Sequence, residues 1–240
     1  MISLVVPAYN EERFLPGLLE SVDAAATAYR AEGGEVEIIV ADNGSTDGTA
    51  RVAGEHGCRV VRAVPRAIAA ARNAGARAAR GDILAFVDAD ARIHPRTFGE
   101  IARLLSDSRV VGGASGVRPD RWSAGRAVTW AMFLPLVWTT RFDTGVVFCR
   151  RADFEAVGGY DEALRFAEDV AFHHALWRLG RRTGRHLVRA RRAKSIYSTR
   201  KFDEHGDWHY FGLLWSGLRH FLGLGRMDAL ADRYWYRPDR

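Results

Sequence analysis

Two rhythms of apolar and polar positions organise the first half of the chain. Ile2–Val6 is a short apolar run, interrupted only by Ser3 and closed by Pro7, the pattern of a strand buried on both faces of a parallel sheet. From Glu11 to Tyr29 the apolar positions Phe14, Leu15, Leu18, Leu19 and Val22 recur at helical spacing, and Gly33-Gly34 ends the segment. Val36–Ala41 predicts a second strand, Thr49–His56 a short helix, Cys58–Arg62 a third strand, and the Ala-rich stretch Ala67–Arg80 a helix. Ile83–Val87 predicts a fourth strand. Pro95 suits the first turn of the next helix, through Leu105, and Val110–Gly112 starts another strand.

The second half is less regular. Thr144–Cys149 predicts a strand, and Arg151–Val157 a helix stopped by Gly158-Gly159. Ala167–Leu179 predicts a helix opened by Glu168-Asp169 and stopped by Gly180. Ala127–Trp138 and Trp208–Leu222 are apolar and aromatic. The uncharged stretch Ala127–Thr140 is shorter than the about 20 residues a membrane span needs, and it contains Pro135. Trp122, Trp130 and Trp138 read as core, with stacking on a sugar or lipid as the alternative.

Alternation of strand and helix implies an α/β fold with a doubly wound sheet and helices on both faces. Ligands of such sheets bind outside the carboxyl ends of the strands. Three polar clusters fall there: Pro7-Ala8-Tyr9-Asn10-Glu11, Asp42-Asn43-Gly44-Ser45 and Asp88-Ala89-Asp90. Two carboxylates two residues apart can converge on one hard cation, which takes its remaining ligands from a diphosphate and water; a solvated loop is the bland alternative. Asp42 can accept a hydrogen bond from a nucleobase or ribose, whereas Ser45, Thr46 and Asp47 look like caps for the helix from Thr49. Glu168-Asp169 fits capping by acids at a helix start, or a general base.

Composition narrows the classes. Two cysteines exclude a disulfide scaffold and a Cys-rich zinc site. No targeting signal is visible after Met1, so the expected location is cytoplasmic, with the inner face of the membrane as a further option. The net charge of +6 invites an anionic partner. Yet Arg178–Lys201 holds ten Lys/Arg and no acid, which leaves the rest of the chain at −4. No G-x-G-x-x-G, P-loop, HExxH or G-x-S-x-G signature occurs.

Taken in order, the clusters resemble the family 2 glycosyltransferases of GT-A fold. Val5-Val6-Pro7-Ala8-Tyr9-Asn10-Glu11-Glu12 resembles their opening strand and loop, and Asp42–Thr49 their second motif. Ala71-Arg72-Asn73-Ala74-Gly75 and Gly81–Asp90 resemble the helix and strand leading to their metal-binding Asp-x-Asp. Gly158–Glu162 followed by Ala167-Glu168-Asp169-Val170 resembles their acceptor-side motif. The resemblance covers about residues 1–180.

The resemblance implies a GT-A, Rossmann-like doubly wound mixed sheet over residues 1–202, with a C-terminal helical extension at 203–240. Residues 1–115 would form the nucleotide-sugar half and 116–202 the acceptor half. It implies inverting transfer of a sugar from a nucleoside diphosphate donor to a hydroxylated acceptor, whether saccharide, lipid-linked or small molecule. Pro7, Tyr9 and Glu11 would line the nucleoside pocket, with Asp42 reading the base and Arg66, Asn73 and Ala89 beside the nucleotide or diphosphate. Asp88 would contact ribose or metal, Asp90 would ligate Mg²⁺ or Mn²⁺, and Asp169 would deprotonate the acceptor. Glu168, Arg200, Lys201, His205 and His209 are further diphosphate or metal candidates. The motif runs on into Ala91-Arg92, where the arginine offers a partner to phosphate; Gly116–Phe142 matches no part of the family pattern.

Two other readings stand beside this one. A sugar-phosphate nucleotidyltransferase also works on an α/β sheet, but the loop after its first strand is Gly-rich, and Pro7–Glu11 has no glycine. A basic binding module for nucleic acid or anionic membrane is motivated by Arg178–Lys201, which carries no recognisable nucleic-acid motif. No nucleic-acid partner is therefore expected, while peripheral membrane contact and homo-oligomerisation stay open.

Overall fold

The structure, a computed structural model, describes residues 1–119, 144–164 and 167–197. By internal contacts the chain divides into Met1–Arg118 with Arg141–Tyr197, and Pro119–Thr140 with Ser198–Arg240. Apart from Pro119, the elements below belong to the first.

The strands are β1 (Ile2–Ala8), β2 (Val36–Asp42), β3 (Arg59–Arg62), β4 (Ile83–Phe86), β5 (Val110–Ala114), β6 (Val117–Pro119), β7 (Val147–Arg150), β8 (His186–Arg189) and β9 (Ser195–Tyr197). The helices are α1 (Leu15–Ala31), α2 (Thr49–Glu55), α3 (Ile68–Ala78), α4 (Thr97–Leu105), α5 (Arg151–Val157) and α6 (Glu168–Arg182). A seven-stranded sheet runs β3-β2-β1-β4-β7-β5-β8, and β6 pairs with β9 in a second, two-stranded sheet. Neighbours in the large sheet are parallel except at β7, which is antiparallel to β4 and β5. The fold is thus the mixed α/β sheet flanked by helices that the alternating pattern implies.

Side chains of a strand alternate between faces, and β1 shows the result. Ile2, Leu4, Val6 and Ala8 pack in a core with Leu15, Leu18, Leu19 and Val22 of α1, Val52 of α2, and Phe98 and Ile101 of α4. Val5 points the other way, into a core with Ala69 and Ala76 of α3, Phe154 of α5, and Phe172 and Leu176 of α6. A one-residue slip of β1 would exchange these two sets.

Register sets the rim. Ala8 stands opposite Asp42, Asp42 opposite Arg62, and Val5 opposite Phe86. The carboxyl ends of β1, β2 and β4 therefore fall on one side, and the three polar clusters follow them there.

Several boundaries depart from the sequence pattern. The first helix starts at Leu15 rather than Glu11, with Pro16 in its opening turn, because Glu11–Phe14 forms a turn closed by the Glu11 carbonyl. Gly180 does not stop α6, which continues to Arg182. A β-carbon at Gly180 would lie 2.7 Å from the Arg185 carbonyl, so this glycine serves close packing. The stop is Gly184, whose φ of +69° is left-handed. The basic segment then supplies β8 and β9, which carry no clean alternation in the sequence.

Candidate functional site

The loops after β1 and β2 are joined by short polar side chains. The Asn10 amide N–H donates to Ser45 Oγ at 3.0 Å, and Asn10 Oδ1 accepts from the Thr46 N–H at 2.8 Å. Glu11 N–H donates to Thr49 Oγ1 at 2.8 Å, and Glu12 N–H to Asp47 Oδ2 at 3.1 Å. The Glu12 carboxylate accepts from Gly48 N–H at 2.9 Å and pairs with Arg51 at 2.8 Å. Asp47 also accepts from Thr49 N–H at 3.0 Å; the N-cap itself is Gly48, which has no side-chain cap, so the expected caps Ser45, Thr46 and Asp47 all lie before it. Burial pushes its carboxyl up, but the hydrogen bonds from Thr49 and Glu12 outweigh this and hold it below the usual range.

Tyr9 lies at this rim with the Arg66 guanidinium 3.7 Å from its ring centroid, a close cation–π stack. Asp42 Oδ1 accepts from the Ser45 N–H at 3.1 Å, which fixes the carboxylate at the end of β2. Pro7 stands beside it, opposite Ala41 in the ladder. Asn43 donates to the Ala63 and Pro65 carbonyls at 3.0 and 2.9 Å, setting the loop that carries Arg66.

The other wall is built around Arg72. Its guanidinium is buried and forks between two carboxylates: Asp88 Oδ1 at 2.9 Å and Glu168 Oε1 at 2.8 Å. It also lies 5.0 Å from the Tyr160 ring centroid. Burial alone would lower the pKa of this guanidinium, but the surrounding negative charge, Asp88 foremost, raises it. Beneath it, Phe86, Phe154, Tyr160 and Phe172 form one aromatic cluster, with Tyr160 and Phe172 stacked at 4.2 Å. These four come from β4, α5, the turn after it, and α6, so the cluster fixes the ends that bear Asp88 and Asp169.

Asn73 sits next to Arg72 and holds the turn. Its Nδ2 donates to the Tyr160 carbonyl and to Glu162 Oε1, both at 2.8 Å, and its Oδ1 accepts from the Tyr160 N–H at 2.9 Å. The turn reverses through Gly158 and Gly159, whose φ values of +83° and +74° suit only glycine comfortably. A cavity of about 740 Å³ opens beside it, lined by Asn73, Arg77, Phe154, Asp161 and Glu162 among others.

Asp169 lies in the first turn of α6, where its Oδ1 accepts from the Val170 N–H at 2.8 Å. Burial raises its carboxyl pKa and the Glu168 and Asp88 charges add to this, while Arg72 opposes them. One turn on, burial pushes the His173 imidazole down to about 4, against a hydrogen bond to the Asp169 backbone, so that ring is neutral near pH 7. Ala167, just before the helix, has a left-handed φ of 59°. The other non-glycine residue of positive φ among those described is Asn10, at 53°. Both lie at this rim, and such conformations persist where the surroundings over-determine them.

Asp88 and Asp90 follow β4, with the buried Ala89 between them. The Asp88 side chain is 48% exposed despite its bond to Arg72. The donor set is hard carboxylate oxygen, which fits Mg²⁺ or Mn²⁺. Among the described residues no group of three His, Cys, Asp or Glu comes together to hold a metal. The Arg92 guanidinium packs toward Gly17 of α1, and its backbone bridges to Ile196.

The structure thus gathers Pro7, Tyr9, Glu11, Asp42, Arg66, Asp88, Ala89 and Asp90 along one rim, with Glu168 and Asp169 reached through Arg72. Asn73 is committed to the Tyr160 turn. Arg200, Lys201, His205 and His209 lie outside the described residues, as do Trp122, Trp130, Trp138 and Trp208–Leu222. Arg72 stands inside one of the sequence motifs with no role assigned to it there. The available signal was a single charge among Ala69-Ala70-Ala71 and Asn73-Ala74-Gly75, on a face too small-residued to be solvated.

A doubly wound mixed sheet with a polar, acidic rim at the strand ends defines the class of α/β proteins that bind ligands at that edge. Comparison with known proteins gives the family. Residues 3–182 match the model of "Glycosyl transferase family 2", and the chain belongs to that family. An undecaprenyl-phosphate 4-deoxy-4-formamido-L-arabinose transferase of Pseudomonas fluorescens is 35% identical over 131 residues, covering 50% of this chain and 36% of the relative. The chain thus spans about a third of that protein's length. Glucosyl-3-phosphoglycerate synthase of Mycobacterium tuberculosis, solved with Mn²⁺, UDP and glucosyl-3-phosphoglycerate, shares the fold at 24% identity with a TM-score of 0.62, covering 86% of this chain and 75% of that one. A mannosyltransferase of Pyrobaculum calidifontis, solved with GDP-Man and Mn²⁺, shares it at 20% identity with a TM-score of 0.62, covering 78% and 54%.

Proposed function

We propose that this chain transfers a sugar from a nucleoside diphosphate sugar to a hydroxylated acceptor, with inversion at the anomeric carbon and help from a divalent cation. The observation that carries this reading is the buried Arg72 fork. It ties the carboxylate after β4 to the start of α6, so a donor-side acid and a prospective base belong to one site.

The residues divide the work. Tyr9, Arg66, Pro7, Glu11 and Asp42 form the nucleoside end, with an aromatic ring, a cation and carboxylates to stack on and hydrogen-bond a base and ribose. Asp88 and Asp90 would hold Mg²⁺ or Mn²⁺, which when bound neutralises charge on the leaving diphosphate. Asp169 accepts the acceptor hydroxyl proton as that oxygen bonds to the anomeric carbon and the carbon–diphosphate bond breaks. Its half-buried position in the first turn, with a raised pKa, makes it a stronger base than an exposed carboxylate once ionised. Single displacement needs no enzyme nucleophile. Both cysteines are buried, and burial pushes the Cys58 thiol up to about 11, so neither offers a thiolate. The sheet relatives solved with Mn²⁺ and UDP or GDP-Man support the same donor chemistry.

The test is a donor screen. Purified protein is incubated with UDP-, GDP- and dTDP-sugars and Mn²⁺ or Mg²⁺, and nucleoside diphosphate release is followed with and without EDTA. Release from one donor class, abolished by EDTA and by Asp90→Asn, is expected. Pyrophosphate release from a nucleoside triphosphate and a sugar phosphate would instead establish a nucleotidyltransferase.

A further inference from the structure

Helix α6 has an outer face that the transfer reaction does not use. Val170, His174, Trp177 and Arg181 are spaced by four, three and four residues and so form one stripe. The opposite side, with Phe172, Leu176 and Leu179, is buried in the core. On the stripe, Val170 is 45% exposed and Trp177 40% exposed, both high for large apolar side chains. Trp177 stacks on His174 at 5.5 Å and carries the Arg181 guanidinium 5.3 Å from its ring centroid. Arg178 and Arg182 flank the stripe one step round the helix and are exposed. None of Arg178, Arg181 and Arg182 has a carboxylate partner among the described residues, whereas Arg185, just beyond, is paired with Asp153 at 2.7 Å. No Asp or Glu occurs from residue 170 to residue 201.

We infer that this face of α6 docks on an anionic lipid surface. The argument is one of charge and amphipathic fit. A part-exposed indole stacked with one arginine is suited to the headgroup boundary, where its body is apolar and its edge wet. Arginine stems lie along apolar surface while their heads reach phosphate. Three cations with no carboxylate partner among the described residues complement a negative bilayer, and an arginine stacked on the tryptophan keeps the two features together. The face does not depend on the sugar-transfer reading, since none of its residues is in the rim. Asp169 begins the same helix, eight residues or about 12 Å of rise from Trp177, so docking would hold the rim close to the lipid.

The experiment is vesicle flotation of the full chain on phosphatidylcholine alone, and with about 30 mol% phosphatidylglycerol added. The wild type is expected to float with the anionic vesicles only, and to be released as salt shortens the screening length. Arg178→Gln and Arg181→Gln should each lower partitioning about fivefold, and Trp177→Ala several-fold, with melting temperatures unchanged. Equal binding to neutral vesicles, absence of binding to either, or full retention by these variants would overturn the assignment. So would a loss in the variants confined to duplex DNA, with vesicle binding intact.

Discussion

The two walls of the rim are held by different forces. The wall formed by the loops after β1 and β2 is laced by neutral, partly exposed hydrogen bonds among Asn10, Ser45, Thr46 and Thr49, with exposed carboxylates at Glu12 and Asp47. The wall formed by α3, the Tyr160 turn and α6 is held by an ionic fork from the buried Arg72 guanidinium over an aromatic cluster. Hydrogen bonds exchanged with water are worth little net, and each can be lost singly. A buried charge left alone is costly, so the second wall stands or fails as a unit. A nucleoside pocket tolerates small adjustments. A base that must meet an acceptor hydroxyl at hydrogen-bond distance does not.

Removing the fork tests this contrast most severely. Arg72→Ala leaves Glu168 buried and unpaired, and is expected to cost about 3–5 kcal/mol of stability, read as a fall in the urea midpoint. Arg72→Lys keeps the charge but cannot bridge both carboxylates, so it should recover only part of the loss. Stability of Arg72→Ala within about 0.5 kcal/mol of wild type would erase the difference between the walls.

A smaller effect is expected from Asn73→Ala. It strips partners from both peptide groups of Tyr160, at about 1–3 kcal/mol for each buried group left unsatisfied. The variant should keep donor affinity and lose acceptor efficiency. A change in donor affinity alone would move Asn73 to the nucleotide side.

On the first wall, Ser45→Ala removes one acceptor for the Asn10 N–H, which water can replace. About 0.5–1.5 kcal/mol is expected, read in the same urea titration. A loss as large as that of Arg72→Ala would show that the two walls are equally cooperative.

The smallest stability change concerns Asp169, and here the sign matters. Burial raises its native pKa above the unfolded value. The native state therefore holds the proton longer, and the carboxylate costs stability once pH exceeds the unfolded pKa of about 3.9. Asp169→Asn removes that cost. Its melting temperature should equal or exceed that of wild type at pH 7, with the gap closing as pH falls below about 4. In the wild type, activity should fall on acidification from a higher pH than an exposed Asp would give. A variant less stable than wild type at both pH values would make Asp169 a structural cap.

The first wall was legible in the sequence because its partners lie inside two short motifs at fixed places after strands. Asn10, Asp42 and Ser45 announce turns by residue type alone. The strands β1 to β4 were legible too, as compact apolar runs between turn signals. The second wall was not, because Arg72 and Glu168 are 96 residues apart and neither residue shows its partner locally. The strands of the basic segment were hidden for a related reason. Among the described residues its charges run from the end of α6 through β8 to the turn before β9, and they hid β8, where only Leu187 is buried. Gly180 read as a stop because its tight contact with the Arg185 carbonyl exists only after the chain has turned.

The central claim is that the carboxylates after β4 serve the donor while Asp169 serves the acceptor. The most direct measurement sets donor affinity, by calorimetry with Mn²⁺, beside the transfer rate for Asp169→Asn and Asp90→Asn. The account predicts that Asp169→Asn binds donor within about twofold of wild type while transfer falls about 10²–10⁴-fold, and that Asp90→Asn loses donor affinity. Weakened donor binding with intact turnover in Asp169→Asn would contradict it.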